Sequence, residues 1–151
     1  MPVRTDERPV SVLALSSRDC PAAWRERAGF TGAALVVASQ TATYHQGIAE
    51  TLERHTLGHR IVVRARHCAS VPDLVAGGQL VAIVPELFAG MACARSPRLA
   101  MWPVPLRVPP YEVGMVWHTA TDTDAAQNWL RERVLRLFRR RPTRRAKERG
   151  G

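Results

Sequence analysis

Residues 61–89 read IVVRARHCASVPDLVAGGQLVAIVPELFA, and this stretch decides the fold. Two apolar runs, Arg60–Arg66 at its start and Leu80–Val84 within it, predict buried strands because they are short and rich in β-branched residues. A helix is expected between them. It is capped by Ser70 and carries a proline in its first turn, and Gly77 and Gly78 end it. A strand, a helix and a second strand joined by short connections predict an α/β domain with a largely parallel sheet.

The same alternation continues on both sides of this stretch. The further predicted elements are strands at Val10–Leu15, Ala33–Ala38, Leu99–Val104 and Tyr111–His118, a helix at Tyr44–Leu57 closed by Gly58, a helix from Glu86 to about Ala94, and a last helix that begins at Asp124. In open α/β sheets, ligands bind beyond the carboxyl ends of the strands. Three such ends are visible, and their residues are Ser39, Gln40 and Thr41; His67, Cys68, Ala69 and Ser70; and Pro85 and Glu86.

The net charge of +9 belongs almost wholly to one end of the chain. Residues 136–149 hold eight basic residues against one acid, which is +7 of that total. Such a run predicts a solvated, disordered tail at 139–151. The alternative is an arm that binds nucleic-acid phosphates without sequence preference. Its basic residues would be Arg139, Arg140, Arg141, Arg144 and Arg145.

Signatures of catalysis and of cofactor binding are missing. The sequence has no glycine-rich phosphate loop, no G-x-S-x-G elbow and no histidine pair at metal-binding spacing, so we expect no enzyme, no cofactor and no metal. Cys68 beside His67 suggests an activated thiolate, but adjacent side chains in an extended segment rarely face each other, which favours a half-buried thiol. Ser39, at the end of a buried strand, remains open between a nucleophile, a ligand hydroxyl and a simple cap. The three cysteines, the absence of a membrane-spanning run and the charged N-terminus favour a cytoplasmic protein.

Four short motifs resemble the LysR-type transcriptional regulators of bacteria. They are P-x-L-V-A at 72–76, V-A-x-V-P at 81–85, Y-x-V-x-x-x-W-H at 111–118 and A-A-x-x-W-L at 125–130. The resemblance implies the effector-binding region of that family, in which two α/β lobes like those of periplasmic binding proteins are joined by two crossing strands. Here it implies one lobe with a mostly parallel sheet, plus a strand and a C-terminal helix from an incomplete first lobe.

The resemblance also implies a domain organisation. It consists of an N-terminal segment and crossing strand at 1–17, the second lobe at 18–104, a return strand and helix at 105–138, and the basic tail at 139–151. We expect no helix-turn-helix, since the chain offers no candidate for a DNA-recognition helix. DNA would then be bound only through a missing domain or weakly through the tail, and no membrane contact is expected.

An incomplete first lobe would leave apolar residues uncovered. Trp117 and Trp129 fit core positions by their patterns alone, but the resemblance implies that they, Met115 and Leu137 form an exposed surface. Three interpretations stay open: a truncated gene product, a stand-alone ligand-binding module, and a domain that completes itself as a homo-oligomer.

The resemblance to the family implies that the effector site lies at the three strand ends. Ser39, Gln40 and Thr41 would supply hydroxyl and amide groups. His67, Cys68, Ala69 and Ser70 would present backbone N–H groups where the next helix begins, which suits an anion. Pro85 and Glu86 would close the floor of the cleft. The expected partner is a small, anionic effector. The rival hypothesis is a stand-alone protein or nucleic-acid interaction module that uses the exposed lobe surface or the basic tail.

Overall fold

The computed structural model describes residues 3–38 and 43–138. The strands are β1 (Val3–Val10), β2 (Val12–Ser17), β3 (Leu35–Ala38), β4 (Ile61–Ala65), β5 (Val81–Pro85), β6 (Leu99–Trp102) and β7 (Tyr111–His118). The helices are α1 (Arg27–Phe30), α2 (Thr43–Arg54), α3 (Val71–Gly77), α4 (Glu86–Arg95) and α5 (Ala125–Phe138). The chain divides into a larger unit, Arg8–Val113, and a smaller unit whose described residues are 3–7 and 114–138.

The larger unit is built on a five-stranded sheet in the order β4-β3-β5-β2-β6. β3 runs parallel to both β4 and β5, whereas β2 runs antiparallel to β5 and to β6. Four of these five strands therefore point the same way and β2 alone is reversed. The prediction of an α/β fold with a mostly parallel sheet is confirmed in this form, as a mixed sheet with one reversed strand.

Side chains of the central strands fill two separate apolar cores, one on each face of the sheet. Along β5, Val81 and Ile83 join one core, while Ala82 and Val84 join the other. This follows from the two-residue period of a strand, which turns successive side chains to opposite faces. α2 packs on the first face through Ile48 and Leu52, and α3 and α4 cover the second face.

β2 lies inside this sheet, between β5 and β6. The sequence predicts a strand at Val10–Leu15, whereas the strand that forms spans Val12–Ser17 and pairs on both sides within the sheet. Ala14 and Leu15 are both fully buried, on opposite faces. A strand with apolar side chains on both faces is stable only where both faces of the sheet are covered. This condition is met in the middle of the sheet, where β2 lies.

The N-terminal residues form a strand that the sequence did not reveal. β1 pairs with β7 in a separate two-stranded sheet. Its sequence, VRTDERPV, has no apolar face because most of the residues between its two terminal valines are charged or polar. The pairing with β7 is contributed by residues more than 100 positions away, so no local pattern indicates it.

Two predicted helix signals turn out differently in the structure. The helix α2 ends at Arg54, and the left-handed residue after it is Thr56, at φ 56°, and not Gly58. The amide of Leu57 donates to the Leu52 carbonyl at 2.8 Å, which closes a Schellman-type cap over a buried leucine pair. Ser70 precedes α3 but makes no side-chain cap, because its hydroxyl donates to the His67 carbonyl.

The smaller unit is held together by a buried arginine. Arg131 on α5 donates to the Thr121 carbonyl at 2.9 Å and to the Asn128 side chain, and its guanidinium lies 5.2 Å from the Trp117 ring centre. The Trp117 indole donates in turn to Asp122 at 2.9 Å. These charge-assisted bonds tie the turn after β7 to α5.

Large apolar side chains of α5 are exposed to solvent. Trp129 is 58% exposed and Leu137 75% exposed, so the expectation of a core tryptophan at 129 is wrong. The exposed surface implied by the incomplete lobe is present for these two residues, while Met115 and Trp117 are half-buried. Asp124 does cap α5 as predicted, since its carboxylate accepts from the Gln127 amide at 2.8 Å.

A buried hydrogen bond between β2 and β6 gives the first testable prediction. The Trp102 indole donates to the Ser16 hydroxyl at 3.0 Å, and both residues are buried. Ser16→Ala leaves the indole N–H without its acceptor and should lower the free energy of unfolding by about 1–3 kcal/mol. Urea denaturation of Ser16→Ala, Trp102→Phe and the double variant measures this. We expect the double variant to lose less than the sum of the single losses; additive losses would contradict a working bond.

Candidate functional site

The three strand ends selected from the sequence lie along one edge of the five-stranded sheet. β3, β4 and β5 are parallel, and Ala38 at the end of β3 is level with Ala65 at the end of β4. The loop after β4 and the β5–α4 junction therefore lie at the same end of the sheet, on either side of β3. Ser39, Gln40 and Thr41 follow β3 directly but lie outside the described residues, as do the arginines of the tail.

The loop after β4 is short and closed by local hydrogen bonds. Both the amide and the hydroxyl of Ser70 donate to the His67 carbonyl, at 3.2 and 2.8 Å. His67, Ala69 and Ser70 are exposed, whereas Cys68 is half-buried against the core on the α3 and α4 face. The loop thus presents an imidazole and a hydroxyl to solvent, and its thiol serves packing.

The chain is positively charged where it leaves β4 and enters this loop. Arg64 and Arg66 flank the last core residue of β4 and are both exposed. At the neighbouring strand end, Pro85 and Glu86 are half-buried, and the Glu86 amide donates to the Ser11 carbonyl at 3.0 Å. The edge therefore carries two exposed guanidinium groups and one carboxylate.

Tyr111 belongs to this neighbourhood, although the sequence indicated only a strand residue. Burial raises the pKa of the Tyr111 phenol, and the nearby Cys68 thiol raises that pKa further. Tyr111, the first residue of β7, thus lies close to the loop after β4. A contact between residues more than 40 positions apart leaves no signal in a local pattern.

The other two cysteines are shielded within the larger unit. Burial raises the pKa of Cys20, although backbone hydrogen bonds to Ser17 and Leu80 oppose the shift. Burial also raises the pKa of Cys93, and the positive charge of Arg18 partly offsets it. Both thiols therefore stay protonated at neutral pH, which disfavours nucleophilic chemistry there.

A groove of about 310 Å³ lies between α3 and α4. Its walls are mostly apolar, with Pro72 and Ala76 on α3 and Phe88 and Met91 on α4. Ala69, which the sequence placed in the effector site, lines this groove. The predicted loop thus borders two different surfaces, the edge of the sheet and the helical groove.

No three His, Cys, Asp or Glu side chains in the described ranges lie close enough together to hold a metal ion. None of the helices in the part of the chain that the structure describes is long and apolar enough to cross a bilayer.

Comparison of the sequence with known families finds one that covers most of the chain. The sequence model of the LysR substrate binding domain matches residues 9–139. Among characterised proteins, the chain is 28% identical over 96 residues to NagR, an HTH-type transcriptional activator of a Ralstonia species. The match covers 64% of this chain and 32% of NagR, so the chain spans about a third of that relative's length.

Solved structures share the fold at low sequence identity. The regulatory domain of MexT, a transcriptional activator in Pseudomonas aeruginosa, superposes with a TM-score of 0.71 at 22% identity, over 87% of this chain and 66% of that domain. The effector binding domain of QuiR, solved in complex with shikimate, gives a TM-score of 0.66 at 10% identity, over 89% and 65%. The periplasmic-binding-protein-like α/β fold predicted from the sequence is therefore confirmed.

The environment of Tyr111 predicts a pH dependence. Its pKa should lie above the usual value of about 10, and Cys68→Ala should lower it only in part, because burial is the larger cause. The unfolded chain then loses this proton first, so the free energy of unfolding should fall as the pH rises above about 10. Absorbance titration at alkaline pH in a Tyr44→Phe background isolates Tyr111. A pKa at or below 10 would show that the phenol is not buried as described.

Proposed function

This chain belongs to the LysR substrate-binding domain family, and we propose that it is the effector-binding part of a transcriptional regulator, acting in the cytoplasm, that senses a small anionic metabolite. It binds this effector and catalyses no reaction. The family consists of transcription regulators and not of enzymes, which supports the second statement.

The observation that carries the proposal is the convergence of strand ends at one edge of the sheet. The exposed loop His67–Ser70 follows β4, and Pro85 and Glu86 follow the parallel strand β5. Backbone N–H groups and side chains just beyond the carboxyl ends of the strands are not used in the sheet and can bind a ligand. The proposed site consists of that loop, the β5–α4 junction and the residues Ser39, Gln40 and Thr41 after β3.

Charge at this edge supports an anionic effector. Arg64 and Arg66 are exposed on and just after the last residues of β4, beside the imidazole of His67. Guanidinium groups bind carboxylates in a planar, two-bond geometry that favours them over neutral compounds. The shikimate in the QuiR domain is a small carboxylate, which makes that class of compound the natural first probe.

DNA recognition is a separate task in this proposal. The chain corresponds to about a third of NagR, which is named as a helix-turn-helix protein, so we assign DNA contact to a segment outside these 151 residues. Effector binding would act on that segment through a difference in affinity for two arrangements of an intact regulator.

A ligand screen tests the effector site. We expect shikimate and other small carboxylates, but not their methyl esters, to raise the melting temperature of the 151-residue chain. Amide shifts in NMR spectra should then cluster at residues 66–70 and 85–86. Arg66→Ala should weaken carboxylate binding about tenfold or more, because it removes a charge-assisted bond.

The matched control is Arg107→Ala, which removes another exposed guanidinium, in the segment between β6 and β7. Its carboxylate affinity should stay at the level of the unchanged chain. Equal binding of esters and acids, or amide shifts confined to the groove between α3 and α4, would refute an anion site at the sheet edge.

Gel-shift assays test the role of DNA. At physiological salt we expect no sequence-specific binding by this chain. Any weak binding should fall steeply with salt and disappear when residues 139–151 are deleted, since it would come from release of counterions by the basic tail. Tight binding to one operator sequence would overturn the assignment of DNA recognition to another segment.

A further inference from the structure

The groove between α3 and α4 is lined by apolar side chains, some of which are in contact with water. Two of its lining residues, Ala92 and Leu99, belong to the buried core on this face of the sheet. Met91, on its α4 wall beside Phe88, is 63% exposed. Its volume of about 310 Å³ is at the lower end of the range of about 300–1,000 Å³ that is usual for ligand clefts. The groove is thus large enough for one small molecule, and covering its exposed apolar wall is favourable.

Two opposite charges line the same groove. Asp73 lies in the first turn of α3 and Arg95 in the last turn of α4, and both side chains are exposed. Within residues 3–38 and 43–138, neither side chain takes part in an ion pair or a hydrogen bond. In that part of the chain, the two charges are therefore neutralised neither by each other nor by a neighbour. Ser96, which also lines the groove, adds a hydroxyl next to Arg95 along the chain.

A ligand that is complementary to this groove carries both charges on an apolar body. The guanidinium of Arg95 binds a carboxylate through two parallel N–H···O bonds. The carboxylate of Asp73 attracts an ammonium group and repels a second carboxylate. Phe88 and Met91 offer an aromatic ring and a flexible thioether, which pack well on an apolar side chain. The groove therefore favours a zwitterion over a simple anion, a simple cation or a neutral hydrocarbon.

We propose that the groove between α3 and α4 binds a small zwitterion with an apolar side chain, such as a free apolar amino acid. Arg95 and Ser96 hold its carboxylate, Asp73 holds its ammonium group, and Phe88 and Met91 cover its side chain. A ligand with only one of the two charges leaves a charged side chain of the groove without a partner, which selects against that ligand. This site is separate from the anion site at the edge of the sheet, and its occupation does not depend on that site.

Calorimetric titration of the 151-residue chain with matched compounds tests the ligand class. We expect L-phenylalanine to bind. N-acetyl-L-phenylalanine lacks its positive charge, the methyl ester lacks its negative charge and glycine lacks its side chain, so each should bind about tenfold more weakly or worse. Equal affinity for the acetylated compound or for the ester would contradict a site for two charges. If neither L-phenylalanine nor L-leucine binds at millimolar concentrations, the proposal is wrong.

Substitutions in the groove locate the site. Asp73→Asn and Arg95→Gln each remove one charge at an exposed position, and each should raise the Kd for L-phenylalanine about tenfold or more. The matched control is Arg98→Gln, which removes an exposed guanidinium three residues further along the chain, at a position that does not line the groove. Its Kd should stay at that of the unchanged chain. An Arg98→Gln effect as large as that of Arg95→Gln would overturn the proposal, as would a Kd that neither groove substitution changes.

Amide shifts in NMR spectra separate this groove from the edge of the sheet. L-phenylalanine should shift the signals of residues 72–76 and 88–96, and Arg66→Ala should leave its affinity unchanged. If the shifts cluster at residues 66–70 and 85–86 instead, and Arg66→Ala abolishes binding, the amino acid binds at the sheet edge and the groove site is refuted. Shifts in the groove together with no carboxylate binding at the sheet edge would support this site and contradict only the anion site.

Discussion

The burial of the central strands on both faces is the constraint on which the rest of this structure depends. β5 supplies alternate side chains to two apolar cores, and Ala14 and Leu15 of β2 do the same. Such strands are stable only if both faces of the sheet are covered. The helices must therefore divide between the faces, with α2 on one side and with α3 and α4 on the other.

This arrangement also determines where function can lie. The side chains inside the sheet are buried in the two cores. Polar groups that can bind a ligand are therefore found where the chain leaves these cores. The loop from His67 to Ser70 is such a place, and within it Cys68 is still held by the core while its neighbours face solvent. The layer formed by α3 and α4 also leaves apolar surface exposed. The helix α4 covers the sheet with one side, and the apolar residues of its other side are in contact with water.

The two units differ in how they are stabilised. The larger unit relies on apolar burial supplemented by the bond between Trp102 and Ser16. The smaller unit has a two-stranded sheet and one long helix, and its best-buried polar side chain is Arg131. A two-stranded sheet is marginal alone. The guanidinium of Arg131 joins α5 to the turn after β7, while Trp129 of the same helix is 58% exposed.

The sequence by itself determined most strands and helices of the larger unit, the family and the edge of the sheet where the candidate site is proposed, because strand and helix periods, prolines and glycines are local signals. Only the tertiary structure decided that β2 is reversed, that β1 is a strand, that Thr56 closes α2 and that Tyr111 lies near Cys68. Each of these depends on contacts between distant residues, which have no local pattern. The same holds for Trp129 and Met91: their apolar character was visible in the sequence, but their exposure follows from which neighbours the fold provides.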